Sequence, residues 1–187
     1  MLTRNIQLKQ FGIKKNISKI KSKVLETLNF YQNHNLVNSF SKNYSYDFTQ
    51  SDIKKLKKFK TFNLIGMGGS SLGAKAIYSF MRPKVKKKFT FLDNLDSMKS
   101  IQKKKNQNLN IIISKSGNTL ETISNYSSIK GKKNNIFICE DSDNYIRSLA
   151  KKINIQVINH KNYIGGRYSV LSEVGMLPAI FMGLKPD

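Results

Sequence analysis

The sequence of 187 residues contains one cysteine, Cys139. A single thiol cannot build a disulfide framework, and such frameworks belong to oxidising compartments. The expected setting is therefore a reducing cytoplasm. No apolar stretch approaches the ~20 residues needed to cross a bilayer. Residues 1–10 lack the apolar core of a signal peptide. Only two histidines occur, and His34 has no Cys, Asp or second His near it. It reads as a surface histidine, and neither a metal site nor a cofactor is expected.

Acidic residues are also scarce. Eleven Asp and Glu face 33 Lys and Arg, a net charge of +22. Such an excess raises non-specific affinity for nucleic acid, acidic membranes and anionic metabolites. The lysines recur as pairs and triplets from Lys14-Lys15 to Lys151-Lys152, chiefly at the ends of expected elements. Asn and Ile are abundant too, which points to a general Lys, Asn and Ile bias rather than one patch. No RNP signature, zinc-finger spacing or recognition helix accompanies the charge. Dispersed lysines predict at most weak, sequence-independent, salt-sensitive DNA contact. No specific nucleic-acid partner and no membrane partner is expected.

What is present is a regular alternation. Ile17, Ile20, Val24, Leu25 and Leu28 have helical spacing, within a polar lead over residues 1–50. Residues 31–49 show no period. Ser51-Asp52 can cap a short basic helix ending near Phe59. Strands are then expected over 62–66, 89–92, 109–114, 135–139 and 155–158. Helices are expected over 71–81, 95–103, 119–129, 142–152 and 170–182, the last bent by Gly175 and Pro178. Alternation of this kind implies βαβ units and a parallel sheet with helices on both faces. Ligands in such sheets collect at the carboxyl ends of the strands.

Two polar glycine-bearing loops fall there, and a third polar stretch lies further along the chain. The central one is IIISKSGNTLET, residues 111–122. Three consecutive isoleucines read as a strand buried on both faces. Ser114, Ser116 and Thr119 then surround Gly117, and a helix begins. Asn118 and Glu121 suit the first and last positions of a capping box. A helix start offers free N–H groups and about half a positive charge, so a phosphate fits there. The same residue types also serve simply to turn and cap the chain.

The second stretch is GMGGSSLG, residues 66–73. A dinucleotide fingerprint would need glycine at Ser71, and a P-loop would need lysine at Ala74. Neither NAD nor ATP is indicated. Gly68 and Gly69 allow close backbone approach, with Ser70 at a helix start. The third is GGRYSVLS, residues 165–172, where Arg167 brings a permanent charge beside two glycines. Taken alone it also reads as a turn with a surface arginine.

In this order and spacing, GMGGSSLG, SKSGNTLET and GGRYSVLSEVG resemble the glucose-6-phosphate isomerase family. The resemblance spans residues 62 to 178. It implies a three-layer αβα sandwich with a mainly parallel sheet, the SIS domain, over 51–187 after a helical lead over 1–50. It implies aldose–ketose isomerisation of a hexose 6-phosphate through a cis-enediol, in an enzyme that is dimeric. Ser114, Ser116 and Thr119 would hold the substrate phosphate, with Ser70 nearby. Gly69, Lys115, Glu121 and Gly166 would support the site, and Thr122 would be structural. Arg167 would stabilise the negative charge of the enediolate, a role suited to a fixed cation in a closed site.

The sequence also departs from that family. The family's catalytic glutamate, ring-opening histidine and further lysine lie downstream of the arginine motif, in a chain with a second SIS domain. This chain ends at Asp187. Neither Glu140 nor Glu173 lies in the base's motif, and His160 is not in the ring-opening context. The expectation is an N-terminal portion, inactive by itself. A stand-alone phosphosugar-binding module and a basic nucleic-acid binder are the alternatives.

Overall fold

The computed structural model describes residues 17–31, 34–41, 43–95, 108–129 and 134–185. The chain separates into two compact units, Met1–Asn38 and Ser39–Asp187. The first contains α1 (Ile17–Tyr31) and α2 (Asn35–Asn38). The expected apolar stripe of α1 is present, yet Ile20, Val24, Leu25 and Leu28 are each about half exposed.

The second unit is the α/β domain. Its elements are α3 (Gln50–Leu56), β1 (Thr61–Ile65), α4 (Gly69–Phe80), β2 (Lys88–Leu92) and β3 (Asn108–Ile113). Then follow α5 (Leu120–Ser127), β4 (Asn135–Glu140), α6 (Tyr145–Lys152), β5 (Val157–His160) and α7 (Glu173–Phe181). The strand order is β2-β1-β3-β4-β5, all parallel. Side chains alternate between the two faces. Phe62, Leu64, Ile111, Ile113, Ile136 and Ile138 pack with Ile53 of α3, Ala74 of α4 and Leu177 of α7. Ile65, Ile112, Phe137 and Cys139 pack with Tyr126 of α5 and with Ile146 and Ala150 of α6. This is the three-layer sandwich that the sequence implies. Full burial of each such Ile, Leu or Phe contributes about 1.5–3 kcal/mol. The Phe62 ring stacks between Phe89 at 4.7 Å and Phe181 at 5.4 Å.

One sheet face also carries a polar ladder. Asn63 Nδ2 donates to Asn110 Oδ1, and Asn110 Nδ2 donates to Asn135 Oδ1, both at 2.8 Å. Asn135 Nδ2 then donates to Tyr126 Oη at 3.1 Å. The ladder fixes the register of three strands and ties α5 to them, since a slip would strand buried amides at about 1–3 kcal/mol each.

Several boundaries differ from expectation for identifiable reasons. Thr49, not Ser51-Asp52, caps α3, and Asp52 closes its capping box. The helix expected at 142 starts at Tyr145, because Asn144 caps it by accepting from Arg147 N. The strand expected at 155 starts at Val157. There Asn154 turns the chain with φ +52°, and Ile155 N still bonds Ala150 O. The helix expected over 170–182 divides into a 3-10 turn, Gly166–Leu171, and α7. Pro178 lies inside α7 without ending it. The helix expected over 95–103 falls outside the described residues from 96 onward.

Residues 39–41 and 43–49 belong to the unit of the sheet, held by a buried polar knot. Glu173, the first residue of α7, is fully buried. Tyr44 Oη donates to its two carboxylate oxygens at 3.0 and 2.9 Å, and Asp47 N donates at 3.1 Å. His160 Nε2 lies 3.1 Å from Ile164 O, and Nδ1 lies 3.9 Å from Glu173 Oε2. A carbonyl oxygen only accepts, so Nε2 carries a proton. Burial alone would push the Glu173 carboxyl up. His160, its own backbone N–H, Tyr44 and Asp47 outweigh that and hold it below its ordinary 4.5. Burial and the adjacent carboxylate push the Tyr44 phenol up.

A folded-state value below the unfolded one means the ionised carboxylate stabilises the fold. That stabilisation is complete above pH 4.5 and is lost as pH falls from there through the folded value. Glu173→Gln should therefore lower stability at pH 7 by about 1.5–3 kcal/mol and flatten the acid limb. Thermal melts of both proteins from pH 7 to pH 3 check this. Parallel curves would show that Glu173 is not the titrating group.

Candidate functional site

The order β2-β1-β3 makes the chain leave β1 to one side and return on the other. The crevice outside the carboxyl ends of β1 and β3 is where open α/β sheets bind ligands. Both strands deliver a polar loop to it. A Cβ on Gly66 would lie 2.8 Å from Ile113 O and 3.1 Å from Ser70 Cβ. The start of α4 therefore sits against the end of β3. Gly68 occupies the N-cap of α4 and supplies no side-chain cap. Ser70 is half-buried in the first turn.

The loop after β3 is tightly built. Ser114 is buried, and its Oγ lies 2.9 Å from Thr119 Oγ1 across the loop. Gly117 N donates to Ser114 O at 3.1 Å. Gly117 has φ +67°, a region that disfavours residues with a Cβ. Ser116 is exposed, and its Oγ accepts from Asn118 N at 3.3 Å. The capping box expected from Asn118 and Glu121 does not form. Thr119 is the N-cap of α5, and it makes no side-chain cap bond because its hydroxyl faces Ser114. The first N–H groups of α5 are thus left without a side-chain acceptor. Glu121 lies in that first turn, where the helix dipole favours a carboxylate. Thr122 is fully buried, in keeping with a structural position.

The loop is held from behind by α6, a support that the sequence pattern did not reveal. Ile146 N donates to Gly117 O at 3.1 Å, and Tyr145 N donates to Asn118 Oδ1 at 2.9 Å. Asn144 packs directly against Gly117, where any Cβ would overlap its side chain. Asn144 Nδ2 donates to Ser142 O at 2.8 Å and Glu140 O at 3.3 Å. The free donors of α6 are therefore spent on the neighbouring loop. An Asn at a helix N-cap was the available signal, but only the fold shows what it faces.

Lys115 points away from any ligand role. Its Nζ pairs with Glu140 Oε1 at 3.0 Å and donates to Asn162 O at 3.1 Å. It fastens the loop to the end of β4 and to the segment after β5. Cys139 is buried and its thiol is pushed up by burial, so it is not a nucleophile.

The third motif docks on the first. Gly69 and Gly166 approach backbone to backbone, and a Cβ on Gly69 would collide with the Gly166 carbonyl. Ser169 Oγ reaches both carbonyl oxygens, Gly166 O at 2.7 Å and Gly69 O at 3.2 Å. Ser172 then caps α7. Arg167 stands on this turn, exposed, with no hydrogen bond or ion pair among the described residues. The sequence-predicted residues thus form two groups. Ser114, Ser116 and Thr119 share one loop at the start of α5. Gly69 and Ser70 at the start of α4 join Gly166 and the Arg167 turn.

A profile of the family described as phosphoglucose isomerase matches residues 33–186. Glucose-6-phosphate isomerase of Methanocaldococcus jannaschii is 36% identical over 153 residues, covering 74% of this chain and 37% of that protein. The phytoplasma enzyme of the same name, from Aster yellows witches'-broom, is 35% identical over 164 residues, covering 73% and 38%. A glucose-6-phosphate isomerase structure from Chlamydia trachomatis superposes with a TM-score of 0.59 at 26% identity, covering 70% of this chain and 28% of that one. A hypothetical protein from Thermus thermophilus shares the fold, with a TM-score of 0.66 at 21% identity over 92% of this chain and 48% of the other. The chain spans well under half the length of the curated relatives it matches. With a family match over residues 33–186 and relatives about 36% identical over most of its length, the chain belongs to the phosphoglucose isomerase family.

Proposed function

We propose that this chain forms the phosphate-binding part of a glucose-6-phosphate isomerase site, with residues 51–187 as the SIS-type sugar-phosphate domain. The observation that carries the reading is the Ser114–Thr119 hydroxyl bracket at the uncapped start of α5. Two hydroxyls meet there beside free helix donors, and α6 holds the loop in place. A phosphate dianion accepts from N–H and O–H alike, and the dipole of α5 favours it. Ser116 and Ser70 widen the donor set. Fixing the phosphate would position the sugar's C1 and C2 toward the Arg167 turn.

In the assembled enzyme, isomerisation moves a proton between C2 and C1 through a cis-enediolate. Arg167 would stabilise the enediolate oxygen, with a charge that does not titrate. The step also needs a positioned base. Among the described residues, Glu140 is paired with Lys115, and Glu173 and His160 are buried in the knot at α7. None is poised for that task. In the family reading the base is a glutamate downstream of the arginine motif, and the working enzyme would be dimeric and cytoplasmic. The pairing of Glu140 and the burial of Glu173 and His160 favour a second reading, a domain that binds a phosphosugar without turning it over.

Fructose 6-phosphate or sulfate should raise the melting temperature of the chain, and free fructose should not. At a hundredfold excess over Kd the gain is about 2.7 kcal/mol. The double variant Ser116→Ala/Thr119→Ala should lose the shift. An equal shift in that variant would remove the phosphate site from this loop.

Gly117→Ala should also abolish the shift, because the added methyl meets both a positive φ and the Asn144 side chain. Unchanged binding by a folded Gly117→Ala protein would show that loop shape is not decisive.

Residues 1–187 alone should not interconvert glucose 6-phosphate and fructose 6-phosphate. A chain extended with a relative's C-terminal portion should do so. In that enzyme Arg167→Ala should lower kcat more than it raises KM, at a cost of about 2.7–4 kcal/mol. Arg167→Lys should recover part, since an ammonium lacks the planar fork. Turnover by the contaminant-free short chain would refute the missing-base reading. A phosphosugar-induced melting shift with no turnover even after extension would favour the binding-only module.

A further inference from the structure

The fold sorts charge by pole. At the carboxyl ends of the strands, three cations are matched with carboxylates, while Arg167 has no such partner among the described residues. Lys75 pairs with Asp93 at 2.6 Å, Lys115 with Glu140 at 3.0 Å, and Arg147 with Asp141 at 3.3 Å. The opposite pole, where the strands begin, differs. The end of α3 and the turns into β1 and β2 bring Lys55, Lys57, Lys58, Lys60, Lys86 and Lys87 together. None of the six forms an ion pair among the described residues. The one carboxylate on α3, Asp52, is held in its capping box by Thr49. Crowding is visible at Lys87. Its Nζ donates to Lys57 O at 2.7 Å, and burial together with the Lys57 charge holds its amine below the ordinary 10.5. The lysines that look dispersed along the sequence are thus gathered by βαβ topology, which places alternate turns at the same end of a sheet.

A cavity of about 200 Å³ opens in this pole, lined by Lys55, Leu56, Lys58, Phe59, Leu109 and Asn135 among others. It is small for a cofactor, since ligand sites usually hold about 300–1,000 Å³. It combines cations at the rim with a mainly polar lining, in which Asn134 and Asn135 stand beside Leu56 and the partly buried ring of Phe59. Lys58 Nζ lies 5.5 Å from the Phe59 ring centroid. Single-stranded nucleic acid is the polyanion that such a surface suits. Its phosphates follow the lysines, and one unpaired base can enter a recess that offers both amide groups and the edge of one aromatic ring. A duplex keeps its bases stacked inside and cannot use that recess. We propose that the strand-start pole binds single-stranded nucleic acid without sequence preference, with the cavity beside Phe59 receiving a base. The proposal is independent of the phosphosugar reading, which concerns the opposite end of the sheet.

The test uses the 187-residue chain and a fluorescently labelled oligo(dT) of about 16 nucleotides, followed by anisotropy across salt concentrations. Taking five lysines as phosphate contacts, the slope of log K against log salt should be about −3.5. Lys55→Gln/Lys58→Gln/Lys60→Gln should flatten the slope by about 2 and weaken binding about a hundredfold at 0.1 M salt, since three contacts are lost. Lys21→Gln/Lys23→Gln, charge changes on α1, should alter binding less than about twofold if the pole is the site. Phe59→Leu should weaken oligo(dT) binding and leave duplex DNA binding unchanged. Fructose 6-phosphate at saturating concentration should not displace the oligonucleotide. Equal loss in the α1 variant would show that net charge alone binds, and would overturn the proposal. So would duplex DNA binding as tightly as oligo(dT), displacement by fructose 6-phosphate, or preference for phosphatidylserine vesicles lost in the same triple variant.

Discussion

The parallel pairing of β1 with β3, Thr61 beside Asn108 through Ile65 beside Ile112, is the constraint on which the site depends. It brings Gly66–Ser70 and Ser114–Thr119, loops some forty residues apart in sequence, to one crevice. The pairing is enforced twice. Buried isoleucines on both faces of β3 resist any slip, because a shift by one residue would exchange the two faces. The buried Asn63–Asn110–Asn135 ladder resists it independently, through amides that only one register satisfies. Polar satisfaction here sets position as much as it adds stability.

Glycines and helix starts then translate register into loop shape. Gly117 permits a turn whose carbonyl receives α6, and Gly69 permits the docking of the Arg167 turn on α4. Each contact is made by backbone, so a side chain at either position would push two motifs apart. Glu173 fastens the base of that turn from the other side, by holding Tyr44 and Asp47 against the start of α7. The exposed Arg167 thus rests on a rigid support while its own charge stays free.

Charge follows the same topology. Carboxylates at the ends of β2 and β4 neutralise the cations near the crevice, leaving hydroxyls, helix donors and Arg167 for an anion. The excess of +22 is carried in part by the other pole, where strands begin. Sheet polarity therefore separates the proposed phosphate site from the proposed electrostatic surface.

The local pattern by itself determined the order of strands and helices among the described residues from Phe62 onward, the buried triple isoleucine and the three polar stretches. These rest on period and on turn residues, which act between near neighbours. Element ends were less legible. Thr119 holds the N-cap position of α5 without a side-chain cap bond, because Ser114 draws its hydroxyl across the loop, and Val157 opens β5 because Asn154 turns the chain first. The roles of Asn144, Ser169 and the Glu173 knot, and the gathering of lysines at one pole, were decided by tertiary structure alone. Each depends on partners 27 to 129 residues away or on strand order, and a periodicity carries no information about which strand lies beside which.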